Sequence, residues 1–116
     1  MKECHDIIYH KNGKMQCITY YKNGRFNKNN GPARIFFYDN GMIMEKNYYN
    51  NDKFHRTDGP AIIRYNVHGS IESESYFLDG KLHRESGPAN IKYNDYGDIK
   101  YESYYINGYL HNEYGP

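Results

Sequence analysis

No apolar run in this 116-residue chain approaches the ~20 residues that a membrane span requires. Met1-Lys2-Glu3-Cys4-His5-Asp6 holds no apolar signal core, so the expectation is an intracellular protein. Cysteine is almost missing: Cys4 and Cys17 are the only two. Inside a cell such a pair is expected as free thiols, and a hairpin about Gly13 does not set them opposite each other. A charge surplus is missing too. Fifteen basic residues meet 14 acidic ones, a net charge of +1. That argues against a general electrostatic nucleic-acid binder, which carries a basic excess. Aliphatic residues are scarce, and 15 Tyr and 5 Phe stand in for them. A Tyr ring covers apolar surface while its hydroxyl stays wet, which suits a thin sheet better than a thick core. No Ser-His-Asp or Cys-His arrangement has a workable spacing, and every Gly is explained by a turn or by the period described next. The expectation is therefore no enzyme, no cofactor and no metal.

What the chain has is a period. Gly-Pro falls at Gly31-Pro32, Gly59-Pro60, Gly87-Pro88 and Gly115-Pro116, at 28-residue intervals. A fixed period of this size signals stacked units. Gly13, Gly41, Gly69 and Gly97 share one phase. Tyr20, Tyr48, Tyr76 and Tyr104 share another, each followed by an aromatic: Tyr21, Tyr49, Phe77 and Tyr105. Phe26, Phe54, Leu82 and Leu110 form a further column, with His55, His83 and His111 directly after the last three. The chain divides into units 3–30, 31–58, 59–86 and 87–114 within a single domain, 1–116. The first unit has Glu3-Cys4 at the Gly-Pro phase, and reads as an atypical end of the array.

Each unit reads as a β-hairpin. After Gly-Pro-Ala, apolar and polar residues alternate, as in Ala61, Ile63, Tyr65 against Ile62, Arg64, Asn66. Period 2 is the strand signature. Asp39-Asn40-Gly41 is strong turn chemistry, since Asn and Gly tolerate positive φ. A second run ends at Asn23-Gly24, Asn51-Asp52, Asp79-Gly80 or Asn107-Gly108, and a linking stretch leads to the next Gly-Pro. The fold class predicted is all-β: a single-layer, twisted antiparallel meander of four 28-residue hairpins. Eight strands are expected near 5–11, 14–22, 33–39, 42–49, 61–67, 70–78, 89–95 and 98–106. The first strand of each unit should pair with the second strand of the unit before it. Apolar columns should run through Ile7, Ile35, Ile63, Ile91 and through Met15, Ile43, Ile71, Ile99.

Paired aromatics, Asn/Asp-Gly, and Leu82-His83-Arg84-Glu85-Ser86-Gly87-Pro88-Ala89 together resemble the MORN-variant repeat proteins found in bacteria and large DNA viruses. The resemblance covers nearly the whole chain and is best in residues 59–86. The first unit departs from it at Asn27-Lys28 and the fourth at His111-Asn112. It implies a row of β-hairpins, a role in protein contacts or membrane-associated scaffolding, and no catalytic residues. The abundance of Asn, Lys, Ile and Tyr fits an AT-rich genome such as a giant virus has, which would place the protein in host cytoplasm or virion.

Several residues invite a site. A row of one His per unit suggests a metal or a pH response. Successive units are two strand spacings apart, roughly 10 Å, too far to share an ion. His55, His83 and His111 are therefore read as loop-holding residues. Arg56 and Arg84 suggest an anion or phospholipid site, against a loop-closing pair with a carboxylate or carbonyl. Tyr20, Tyr48, Tyr76 and Tyr104 could stack sugars or bases, but one ring in every unit reads first as a structural ladder. Phases 16, 44, 72, 100 and 17, 45, 73, 101 vary freely and could encode a partner. The function expected is a non-catalytic scaffold for an unidentified protein partner. Self-association through a sheet edge or an aromatic face is one form of it. The alternative is a peripheral membrane or phospholipid binder, which near-neutral charge disfavours. No nucleic-acid partner is expected.

Overall fold

Turn residues every dozen or so positions reverse the chain repeatedly, and the resulting strands lie side by side. The computed structural model describes residues 3–28 and 30–111; Gly115-Pro116 and Asn112 lie outside them. The strands of the first half are β1 (Glu3–Tyr9), β2 (Met15–Lys22), β3 (Arg25–Phe26), β4 (Arg34–Phe37), β5 (Ile43–Asn47), β6 (Tyr49–Asn50) and β7 (Lys53–Phe54). The second half adds β8 (Ile62–Tyr65), β9 (Ile71–Ser75), β10 (Phe77–Leu78), β11 (Lys81–Leu82), β12 (Asn90–Tyr93), β13 (Ile99–Ser103), β14 (Tyr105–Ile106) and β15 (Tyr109–Leu110). The architecture is all-β. Its main sheet is an antiparallel meander in the order β1-β2-β4-β5-β8-β9-β12-β13, with β3 paired to β2.

The pairing recurs at 28-residue intervals. Ile35 faces Lys46, Ile63 faces Glu74 and Ile91 faces Glu102 within hairpins. Ile18 faces Ile35, Lys46 faces Ile63 and Glu74 faces Ile91 between them. At the hairpin tips Gly13, Gly41, Gly69 and Gly97 have φ of +88°, +92°, +94° and +85°. Only Gly enters that region without strain. Each hairpin also carries a bulge, at Ile8/Tyr9, Phe36/Phe37, Arg64/Tyr65 and Lys92/Tyr93. The residue left without a cross-strand partner is Gln16, Met44, Glu72 or Lys100. This explains why that phase varies freely: an unpaired bulge residue escapes cross-strand constraint.

The expected second strands are too long by two or three residues. The expected runs reached 49, 78 and 106, but β5, β9 and β13 stop at Asn47, Ser75 and Ser103. The cause is a division of labour at the next residue. Tyr48 donates its N–H to Ala61 C=O at 2.7 Å, while its own C=O accepts from His55 N–H at 3.0 Å. Tyr76 does the same with Ala89 at 2.7 Å and His83 at 3.0 Å. In a regular strand both groups of one residue face the same neighbour. Here they face different ladders, and the strand breaks at Tyr48 and Tyr76; Tyr20 makes the same two bonds, but β2 runs on because Tyr21 and Lys22 still pair with Cys4 and Glu3. The tail of each expected strand is instead a separate short strand, and the expected linker begins with its partner, which gives the pairs β6-β7, β10-β11 and β14-β15. These short hairpins turn through Asn51-Asp52, Asp79-Gly80 and Asn107-Gly108, where both residues have positive φ. That is type I′ geometry, matched to strand twist. Neighbouring short hairpins are joined by Gly80 N–H to Phe54 C=O and Gly108 N–H to Leu82 C=O, both 2.8 Å.

Little is buried. Ala33, Ala61 and Ala89 are wholly inaccessible, while Ile63 and Ile91 keep 9% and 6% exposure. The Ile7, Ile35, Ile63, Ile91 column is best covered in its second half. The expected Met15, Ile43, Ile71, Ile99 column stays largely open. Met15, Ile71 and Ile99 are exposed, because they sit just past the bulge, next to the turns.

Asp52 is the exception among the short turns, holding φ +70° where the others have Gly. Its Oδ1 accepts the Phe26 N–H at 2.7 Å, which offsets the strained backbone. Asp52→Gly exchanges that bond for relaxed backbone and should change stability little. Asp52→Ala loses the bond and keeps the strain. It should be less stable than Asp52→Gly by about 1 kcal/mol or more. Urea denaturation of the two variants checks this.

Candidate functional site

The step between the two ladders leaves an open cleft in each of the first three units. The clefts measure about 210, 520 and 370 Å³. All three are lined by residues of the same phases: Tyr20 with Lys28, Tyr48 with Arg56, and Tyr76 with Arg84. In each, the cation lies on the ring. Lys28 Nζ is 3.7 Å from the Tyr20 centroid, Arg56 Cζ 3.9 Å from Tyr48 and Arg84 Cζ 4.0 Å from Tyr76. The guanidiniums also bond forward, onto the Gly-Pro turn that follows them. Arg56 Nη1 donates to Pro60 C=O and Arg84 Nη1 to Pro88 C=O, each at 3.2 Å. Arg56 Nε further donates to Asp58 Oδ1 at 3.1 Å. Of the two readings of these arginines, the geometry therefore favours loop closure over anion capture.

The Gly of two Gly-Pro pairs, Gly59 and Gly87, has a physical reason here that the sequence alone did not reveal. A Cβ on Gly59 would stand 2.9 Å from Arg56 Cζ, and one on Gly87 3.1 Å from Arg84 Nη1. The glycines leave the slot in which the guanidinium lies. The Ala that follows each Gly-Pro is wholly inaccessible and its carbonyl takes the Tyr N–H, so nothing larger than a methyl fits.

His55 and His83 line the same clefts and reach to the following unit. His55 Nδ1 accepts the Asp79 N–H and His83 Nδ1 the Asn107 N–H, both at 3.0 Å. Each imidazole thus holds the short turn of the following unit. His111 donates its backbone N–H to Tyr104 C=O at 2.6 Å. Among the described residues no three His, Cys, Asp or Glu side chains are grouped as a metal would need. Cys4 is exposed opposite Tyr21, and Cys17 is buried opposite Ile8.

The continuous ring ladder does not run through Tyr20, Tyr48 and Tyr76. It runs one residue further on, through Tyr21, Phe26, Tyr49, Phe54 and Phe77. Centroids there are 5.5, 5.2, 4.6 and 5.3 Å apart. Leu82, Tyr105 and Leu110 continue the same phases.

A second feature lies on the Ile face of the main sheet. Lys46 and Glu74 interrupt the Ile row, and each meets a Tyr of the next unit. Lys46 Nζ lies 5.5 Å from the Tyr65 ring, and Tyr93 donates its hydroxyl to Glu74 Oε1 at 2.5 Å. Burial, and then this bond, push Tyr93 up to about 12.

Comparison with family models, with curated proteins and with solved structures returns no match.

Arg84→Ala should lower the denaturation midpoint, at a cost of about 1–2 kcal/mol, through lost stacking and an unmet Pro88 carbonyl. Arg84→Lys should recover part of this, since Lys28 already sits on Tyr20, and Glu72→Ala, on an exposed bulge, should be near neutral. Tyr93 is held neutral in the folded chain over a range where the unfolded phenol ionises. Its contribution is complete below pH ~10 and fades as pH rises toward ~12. Tyr93→Phe should flatten the alkaline limb of a stability-against-pH curve between those values.

Proposed function

We propose that this chain is a non-catalytic, MORN-like repeat scaffold whose task is protein–protein contact. The observation that supports it best is where polar capacity is spent and where apolar surface is left. In the clefts, Arg56, Arg84, His55 and His83 are engaged with backbone groups of the protein itself. Such side chains hold shape. Met42, Val67 and Ile71 are exposed in the middle of the array, but the most exposed large apolar side chains stand toward the two ends of the meander. Ile8 and Tyr9 on β1 are 57% and 58% exposed, and Tyr101 on β13 and Leu110 on β15 are 50% and 72% exposed. Exposed apolar surface bordered by polar residues is the mark of a contact surface.

A membrane-surface role would ask for clustered free cations, worth ~1 kcal/mol each at an anionic leaflet. The cleft cations are stacked on rings, and the net charge is only +1. The protein should therefore stay in the supernatant when anionic phosphatidylserine vesicles are sedimented at physiological salt. Co-sedimentation that disappears at high salt would favour the phospholipid alternative.

A further inference from the structure

The period that stacks one hairpin on the next within the chain also matches the two ends of the meander to each other. β1 has β2 as its neighbour in the main sheet, and β13 has β12. β1 occupies the phase of β4, β8 and β12; β13 occupies the phase of β2, β5 and β9. Deepening the scaffold reading and resting on it, we infer that β13 of one molecule takes up β1 of a second copy of this chain. The copies pair as β5 pairs with β8 and β9 with β12. Self-association is then head-to-tail.

The register is fixed by those internal pairings. Asn47 faces Ile62, Lys46 faces Ile63 and Glu45 faces Arg64; Ser75 faces Asn90, Glu74 faces Ile91 and Ser73 faces Lys92. Carried on by 28 residues, Ser103, Glu102 and Tyr101 face Asp6, Ile7 and Ile8 of the second copy. Asp6, Ile7 and Ile8 are already strand, paired on their other side with Thr19, Ile18 and Cys17.

Side chains at this junction are complementary one by one. Ser75 donates its hydroxyl to Asn90 Oδ1 at 2.8 Å. Ser103, in the same phase, is 8% exposed, and its hydroxyl is buried without a partner. Asp6 holds the Asn90 phase and brings a carboxylate to it. Glu74 takes the Tyr93 hydroxyl; Glu102 and Tyr9 hold those two phases, and both are exposed. Tyr101 and Ile8 are half open to solvent on the facing strands, and would cover each other. The short-hairpin ladder continues as well. Leu82 C=O accepts the Gly108 N–H; Leu110 and Gly24 hold those phases, and Leu110 would meet the Tyr21 ring that starts the aromatic ladder. A junction of this kind uses different surfaces on the two partners, so it does not close and yields a series of oligomers.

The backbone supplies the test. Tyr48 N–H bonds to Ala61 C=O across β5 and β8, and N–H groups of alternate residues point to the same side. Lys46 and Ile63 therefore direct theirs into that junction. Glu102 and Ile7 are the equivalent residues, with N–H groups aimed at edges that no described strand covers. Proline there removes one edge donor and spares the internal pairing. Sedimentation velocity from micromolar to millimolar concentration should show the native chain growing through dimer and trimer to longer species. Ile7→Pro and Glu102→Pro should each be monomeric alone. Mixed, they should form a one-to-one dimer and stop, because one retains a working β13 and the other a working β1. If either proline variant fails to give the native circular dichroism spectrum, the doubly substituted Ile8→Asp, Tyr101→Asp chain replaces it. Both sites are exposed, and facing carboxylates should weaken association at least about tenfold. A native chain that stays monomeric at millimolar concentration overturns the inference. So does a dimer of Ile7→Pro alone, which would mean that two β13 edges meet, and so does a mixture without the one-to-one dimer. A chain that stays monomeric yet binds a different protein through its exposed ends would sink the head-to-tail junction and leave the scaffold reading standing.

Discussion

Everything in this fold hangs on the bend at Tyr48, Tyr76 and their counterparts. One residue gives its N–H to the long-hairpin ladder and its C=O to the short-hairpin ladder. That single division locks two ladders at a fixed offset. It requires a carbonyl brought very close, which is why an alanine of zero exposure sits opposite. It also opens a gap beside the Tyr ring. The Arg or Lys that follows the short hairpin lies on the ring in that gap and restores contacts that an empty space would forfeit, and Arg56 and Arg84 are also hydrogen-bonded to the Pro carbonyl of the Gly-Pro turn. Gly, Pro, Ala, Tyr and Arg recur together because they are parts of one joint.

A sheet only 18 Å in its thinnest extent has no thick core to pay for chain ordering. Its cohesion is therefore lateral. Ring contacts of ~0.5–1.5 kcal/mol each beyond area burial, over four successive pairs from Tyr21 to Phe77, reach several kcal/mol. That is comparable with the whole net stability of a small domain. Lateral side-chain bonds to backbone add to it at the tips, where Tyr38 reaches Tyr65 C=O at 2.7 Å and Asn12 reaches Asp39 C=O at 2.8 Å. Each unit is thus stabilised by its neighbours more than by itself, the general condition of stacked architectures.

The strand order was legible in the sequence because period-2 alternation and Asn/Asp-Gly turns are local signals. So were the positive φ of Gly41 and Gly69, and the placement of the second strand of each unit against the next. The break at Tyr48 was hidden because alternation continues across it: Asn47, Tyr48 and Tyr49 look like strand on either side. Only a hydrogen-bond partner 13 residues away, Ala61, decides the matter. The aromatic ladder was placed one column off for a related reason. Tyr48 and Tyr49 are chemically alike, and the choice between ring-on-ring and cation-on-ring is made by Arg56 and Phe54, which arrive from the following strand. The bulge was visible only as variability at Gln16, Met44, Glu72 and Lys100, a pattern that looks the same on any solvated face.

Charge in the Ile row shows how such an array keeps its register. Lys46 and Glu74 sit between isoleucines, where apolar residues would bury more area. An all-Ile row would pair equally well after a slip of two residues, since a shift of two preserves the facing of every side chain. A lysine that must find the Tyr65 ring, and a glutamate that must find the Tyr93 hydroxyl, are satisfied in one alignment only. The cost of leaving a half-buried carboxylate unmatched exceeds what one more isoleucine would add. Polar residues thus set the specificity of stacking, and any unit that presents the same phases, within this chain or on another copy, is read by the same rule.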